Sequence, residues 1–241
     1  MTINALRNCH RYLSYYTDMV GQNQLSKMSG LTVEDQTFIS QHGSGARLSV
    51  PYDTIHEAFE SVVDAFPAIV AAVHGDRKIT YHQLDLAANR LAHHLIGSGL
   101  RPKQRVCLVV HRSVEMLIGL LAILKAGCQY VPIDGGVASD QALQHIFEDT
   151  EARFILCLPK FWEKVQQFAP RDALVLELGM ETGAFYSPLR PCIKVSGDDG
   201  VYAMYTSGKL LLNTCRVSCL QPLFRKYRCA ERCGCKAHYY G

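Results

Sequence analysis

The sequence predicts an α/β fold, a layered parallel sheet with flanking helices, on three observations. Residues 105–132 read strand, helix, strand within about thirty positions, the form of a right-handed crossover between parallel strands. The rhythm recurs, with helices near Ser139–Asp149 and Phe161–Phe168 and strands at Arg153–Cys157 and Ala173–Leu178. The 241 residues are 48% hydrophobic and 20% charged, enough to bury the core such a sheet needs and too apolar for wholesale disorder.

The elements follow in order. Residues 1–50 are polar and mixed and read as short helices joined by linker. Leu6, Cys9, Leu13 and Tyr16 form one helical face, and Thr32-Val33-Glu34-Asp35 starts another helix. His42-Gly43-Ser44-Gly45 looks like a phosphate-binding glycine loop, but it follows no strand and precedes no helix, so it reads as linker. From Thr54 the pattern tightens, with Ile55, Ala58, Phe59 and Val62 at helical spacing and Pro67 as the stop. Ala68–Val73 reads as a strand with a turn at His74-Gly75-Asp76. Thr80-Tyr81-His82-Gln83 has the form of a capping box, opening a helix with Leu84, Ala87, Ala88, Leu91, Ala92 and Leu95 on one face. Asn89, Arg90, His93 and His94 point largely elsewhere and are expected on a solvated side. Gly97 and Gly99 supply the stop.

Arg105–Val110 is a near-continuous apolar run of the kind buried on both faces of a sheet. Ser113 caps a helix whose apolar face is Leu117, Leu120, Leu121 and Leu124, with Gly127 just beyond it. Cys128–Pro132 is a short strand, and Gly200–Tyr205 is the last. That final strand runs into Thr206-Ser207-Gly208, small hydroxylated residues and a glycine, where hydroxyls and backbone N–H groups can face an anion.

Three blocks resemble, in order, the first three core motifs of the adenylation domains of non-ribosomal peptide synthetases, within the adenylate-forming, AMP-binding ligases. Thr80-Tyr81-His82-Gln83-Leu84 with Asn89-Arg90-Leu91-Ala92 resembles the first, with Gln in place of Glu. Leu124-Lys125-Ala126-Gly127-Cys128-Gln129-Tyr130-Val131-Pro132-Ile133-Asp134 resembles the second almost letter for letter. Tyr202-Ala203-Met204-Tyr205-Thr206-Ser207-Gly208 resembles the start of the third. The resemblance covers residues from about 54 to 208. It implies the N-terminal part of the adenylate-forming fold, incomplete, over 51–208. Residues 1–50 resemble the linker after a condensation domain, and 209–241 form a separate Cys-rich basic tail outside the fold.

The resemblance also implies a chemistry. An amino-acid or other carboxylate attacks the α-phosphate of ATP, pyrophosphate leaves, and the acyl group passes from the acyl-adenylate to a phosphopantetheine thiol. Magnesium and a lysine would offset phosphate charge. The partners are a small amino or carboxylic acid and the carrier and condensation domains of a synthetase, with no nucleic acid and no membrane. Thr206, Ser207 and Gly208 match the family's β- and γ-phosphate loop. The second block is mainly architectural: Lys125 closes a helix, Gly127 caps it and Pro132 ends a strand. No residue is assigned a catalytic or metal-binding role.

The loop then departs from the family. The expected Ser/Thr-Thr-Gly-x-Pro-Lys-Gly is replaced by Lys209-Leu210-Leu211-Leu212-Asn213, so the second glycine turn and the loop lysine are missing. Charge-assisted hydrogen bonds contribute roughly 1.5–3 kcal/mol each, so losing two or three weakens phosphate binding by about 3–9 kcal/mol. The expectation is a chain inactive by itself. The alternative is a non-catalytic shortened product, or an interaction or zinc-binding protein. A dinucleotide-binding oxidoreductase is disfavoured because no Gly-x-Gly-x-x-Gly follows any strand.

Charge and cysteine both change at this point. Residues 1–208 hold 18 Lys and Arg against 21 Asp and Glu, whereas 209–241 hold seven against one. Cys9, Cys107, Cys128, Cys157 and Cys192 are spread over the first part; Cys215, Cys219, Cys229, Cys233 and Cys235 crowd the second, near His238. The tail spacing is off-pattern for a zinc site, and shifted or intronic reading after Gly208 accounts better for the break. The net charge of +3 is too small to argue for nucleic acid. Met1–Asn23 lacks the apolar centre of a signal peptide, and Met116–Leu124 is too short to span a bilayer. With cysteines inside apolar runs, this predicts a reduced, soluble, cytoplasmic protein.

Overall fold

A computed structural model describes residues 32–42, 52–206 and 209–216. These fall into two units, the first helix in one and everything from residue 52 in the other. Helix α1 (Val33–His42) begins as the sequence predicts: the Thr32 hydroxyl accepts from Asp35 N at 3.1 Å, and Asp35 accepts in return from Thr32 N at 3.0 Å.

The larger unit opens with α2 (Ile55–Ala65), where Thr54 and Glu57 form a reciprocal capping box. Strands β1 (Val70–His74) and β2 (Arg77–Thr80) pair antiparallel around the Gly75 turn, whose φ of 58° suits glycine. The sequence reading found the turn but not β2. Helix α3 (Tyr81–Gly97) starts at the predicted Thr80–Gln83 box.

A six-stranded sheet follows. Its strands are β3 (Arg105–Val110), β4 (Gln129–Asp134), β5 (Phe154–Cys157), β6 (Leu174–Glu177), β7 (Gly200–Thr206) and β8 (Lys209–Arg216). They lie in the order β6-β5-β3-β4-β7-β8, the first five parallel and β8 antiparallel to β7. Central β3 is buried on both sides, so it carries Val106-Cys107-Leu108-Val109-Val110 without alternation. The sequence reading ended the fold at Gly208. The backbone instead continues the sheet through Lys209–Arg216, an apolar Leu210-Leu211-Leu212 run that can extend a strand edge.

Helices α4 (Val114–Lys125), α5 (Asp140–Asp149) and α6 (Trp162–Phe168) make the crossovers. The chain steps from β3 to β4 in one direction and from β4 to β5 in the other. Right-handed crossovers therefore place α4 on one face and α5 and α6 on the other. Contacts agree, with α3 packed on α4 and α5 on α6. Ser113 and Ser139 cap α4 and α5 through Met116 N and Ala142 N.

Two side-chain expectations change. The face Leu117, Leu120, Leu121, Leu124 is only part of what α4 buries: Ile118, Ala122 and Ile123 lie deeper, and Leu117 and Leu120 are half-buried. Asn89 is 1% exposed, and His93 and His94 are half-buried, because the segment after β6 lies along α3. Asn89 donates to Pro188 O at 2.9 Å, His93 meets Leu189 O at 3.0 Å, and the His94 ring stacks on Tyr186 with centroids 4.6 Å apart. No described helix is long and apolar enough to cross a membrane.

Candidate functional site

In a parallel α/β sheet the ligand crevice opens at the carboxyl ends of the strands, where successive connections leave for opposite faces. Here β3, followed by α4 on one face, meets that condition with both neighbours, β4 and β5, whose helices α5 and α6 lie on the other face, and β7 lies next to β4. The corner is built from the residues after Val110, the Asp134-Gly135-Gly136 loop and the end of β7.

Register sets these levels. Val110 pairs with Asp134, and Tyr130 pairs with Tyr202. Four residues further along both parallel strands, Asp134 and Thr206 come level. The second motif block thus ends level with Thr206 of the third, at the carboxyl ends of β4 and β7. Thr206 closes β7, opposite Lys209 in β8. Ser207 and Gly208 lie outside the described residues, so of the three predicted phosphate-loop positions only the Thr206 backbone is placed.

The loop after β4 folds back on itself. Asp134 Oδ1 accepts from Gly136 N at 2.9 Å, and Asp134 O accepts from Ala138 N at 2.8 Å. A Cβ on Gly135 would stand 2.6 Å from the Phe161 ring, so only glycine lets the backbone pass. Phe161 in turn meets His111 edge-on at 6.0 Å. Lys160 Nζ lies 4.6 Å from the Phe161 centroid and 3.3 Å from His111 Nε2, a cationic–aromatic cluster at the ends of β3 and β5.

Tyr205, one residue before the predicted loop, anchors β7 to α5. Its hydroxyl donates to Asp149 Oδ2 at 2.5 Å, and its ring meets His145 edge-on at 6.4 Å. Burial and the neighbouring carboxylate both push the Tyr205 hydroxyl upward, so it stays protonated and serves as a hydrogen-bond donor. Among the described residues no cluster of His, Cys, Asp or Glu could hold a metal ion. Asp134 and Asp149 each use one carboxylate oxygen in these contacts, to Gly136 N and to the Tyr205 hydroxyl. Cys219, Cys229, Cys233, Cys235 and His238 lie outside the described residues.

Sequence reasoning missed a buried charge cluster that joins the first two blocks. The Lys125 side chain is 1% exposed; its Nζ lies 2.9 Å from Asp85 Oδ1 and also contacts Glu60 Oε1. Arg190 reaches Asp64 Oδ1 at 2.7 Å and Asp85 Oδ2 at 3.5 Å, and Asn89 donates to Asp85 at 3.3 Å. Lys125 therefore ties α4 to α2 and α3 rather than merely closing its own helix. The available signal was Asp85 and Asn89, one helical turn apart beside the apolar stripe.

Comparison with known proteins matches the family model of AMP-binding enzymes over residues 59–208. Adenylate-forming reductase 06235 of Coprinopsis cinerea is 39% identical over 184 residues, covering 75% of this chain and 18% of the reductase. Malpinin synthetase of Mortierella alpina is 37% identical over 155 residues, 64% of this chain and 2% of the synthetase. The chain thus spans less than a fifth of the length of these relatives. A crystal structure of the non-ribosomal peptide synthetase FmoA3 (S1046A), bound to α-methyl-L-serine-AMP, superposes with TM-score 0.69 at 24% identity. It covers 76% of this chain and 20% of FmoA3. The fatty acyl CoA synthetase of Mycobacterium tuberculosis superposes with TM-score 0.62 at 22% identity, over 68% of this chain and 35% of that one.

Proposed function

The chain belongs to the AMP-binding enzyme family, and from that premise we propose that it is the amino-proximal part of a carboxylate-activating adenylation domain. In the complete protein a carboxylate oxygen of an amino or carboxylic acid attacks the α-phosphorus of ATP. The bond to the bridging oxygen breaks, pyrophosphate leaves, and an acyl-adenylate results. A phosphopantetheine thiol then attacks the carbonyl carbon and AMP departs. Residues 51–208 are the portion that carries this scaffold, and Thr206, Ser207 and Gly208 grip the β- and γ-phosphates through backbone N–H and hydroxyl groups.

The observation supporting this reading most directly is that Asp134 of the second block comes level with Thr206 of the third, inside the matched stretch 59–208. Identities of 39% and 34% to two adenylate-forming reductases favour a second reading of the last step only. On that reading the activated acyl group is reduced rather than condensed.

Because Lys209-Leu210-Leu211-Leu212 replaces the lysine-bearing half of the loop, the 241-residue chain alone does not catalyse adenylation. Amino-acid-dependent ATP–pyrophosphate exchange, assayed over a panel of acids with magnesium, tests this. Exchange at background level is expected, and clear exchange would sink the claim. The adenylation reading itself rests on a second assay of the same chain joined to a relative's remaining adenylation sequence, with the family's loop restored. Exchange should appear there, and its absence counts against the assignment.

A further inference from the structure

We propose that the cleft between β2, α3 and the segment following β6 binds a small amphiphilic anion, an apolar body carrying one carboxylate or phosphate group. The cleft has a volume of about 350 Å³, within the range of small-ligand sites. It is distinct from the corner described above: it shares with it only the start of α4, at Val114, and otherwise lies against β2, the outer face of α3 and the segment after β6, away from β7.

Helix α3 presents Gln83, Leu86, Ala87 and Arg90 to it, at spacings of three, four and seven that share one helical face. The floor is apolar, with Ile79, Ala87 and Val114 all buried. The rim is cationic, and its charges differ in kind. Arg77 is already matched by Glu115, whose Oε1 lies 2.6 Å from its Nη1. Among the described residues Arg90 and Lys78 take part in no ion pair, and the Arg90 Nε is buried without a hydrogen-bond partner.

A guanidinium N–H withdrawn from water at the edge of an apolar cleft calls for an oxyanion acceptor. The planar fork of arginine suits the paired oxygens of a carboxylate or phosphate. Lys78, exposed on β2, adds a second positive charge, while Glu181 on the opposite wall opposes an anion and limits affinity. The apolar floor requires the rest of the ligand to be hydrophobic, so inorganic phosphate alone would gain only the rim.

The test is calorimetric titration of the full 241-residue chain with octanoate, octyl phosphate, octanol, octylammonium and inorganic phosphate. One of the two octyl anions should bind saturably at one site per chain, at least tenfold more tightly than octanol, octylammonium or inorganic phosphate. The stronger of the two identifies the headgroup. Arg90→Met should weaken that binding at least tenfold, Glu181→Gln should tighten it about threefold, and Leu86→Trp should abolish it by filling the cleft. Failure of both anions to saturate, equal binding of octanol, or multiple sites unaffected by Arg90→Met would each overturn the proposal. If Arg90→Met does not fold, an unchanged affinity in the surface variants Glu181→Gln and Lys78→Met overturns it equally. None of these readings depends on ATP–pyrophosphate exchange.

Discussion

Lys125 Nζ lies 2.9 Å from Asp85 Oδ1, with the Lys125 side chain only 1% exposed and that of Asp85 7% exposed. This pairs the last turn of α4 with the second turn of α3, and Glu60 and Arg190 extend it to α2 and to the segment after β6. Truncating one partner of a buried ion pair leaves the other charged without a counter-ion, typically at about 3–5 kcal/mol. Lys125→Ala should therefore lower unfolding free energy by about 3 kcal/mol or more in urea titrations. Combining it with Asp85→Asn should cost less than the sum of the single changes; strict additivity would show that the two do not interact.

Stability should fall on mild acidification. His56 and His94 are both held below the ordinary histidine value of 6.5, chiefly because burial penalises the charged ring. The unfolded chain then binds more protons than the folded one around that value. The histidine contribution is complete above it and is lost as pH drops through the folded values. Asp64, held down by its hydrogen bond to Arg190, titrates at lower pH and leaves this window untouched. The urea midpoint at pH 5.5 should lie below that at pH 7.5. His94→Phe, which keeps an aromatic ring on Tyr186, should reduce the difference.

Gly183 has φ of 82°, and a Cβ there would stand 2.9 Å from Arg90 O. Gly183→Ala combines left-handed backbone strain with a backbone clash and should destabilise by about 2 kcal/mol or more. A urea midpoint indistinguishable from the parent would contradict that geometry.

Thiol reactivity should divide by burial. Burial pushes Cys107, Cys128 and Cys157 each up to about 12, whereas Cys192 is exposed. Since the thiolate is the nucleophile, Cys192→Ser should remove one fast equivalent in a dithionitrobenzoate assay of the folded chain, and Cys107→Ala should remove none.

What could be read from the sequence is what local periodicity encodes. The crossover at 105–132, the caps at Thr80, Ser113 and Ser139, and the buried character of Cys107, Cys128 and Cys157 all depend on neighbours within a few residues. The misses have the opposite origin. Arg77-Lys78-Ile79-Thr80 shows no apolar alternation, yet pairs with β1 because Ile79 alone is buried. His93 and Asn89 are covered by residues almost a hundred positions away, and Lys125 finds Glu60 across 65. At the candidate site, the motif identified the end of β7, but the tether from Tyr205 to Asp149 spans 56 residues and leaves no periodic trace.

The parallel neighbours β3, β4, β5 and β6 follow one another closely in sequence, whereas Tyr130 must find Tyr202, 72 residues on, to seat β7. Closing so long a loop costs about 1 kcal/mol more than bringing Val106 to Tyr130, which favours seating β7 after β3 and β4 have paired. Its amides should gain protection after those of β3 and β4 in pulse-labelled refolding; simultaneous protection would argue otherwise. The β7 edge is then the last of the parallel strands to be seated. A nascent or partly unfolded chain lacks this edge, so whatever recognises the end of β7 meets only a chain whose central strands are already paired.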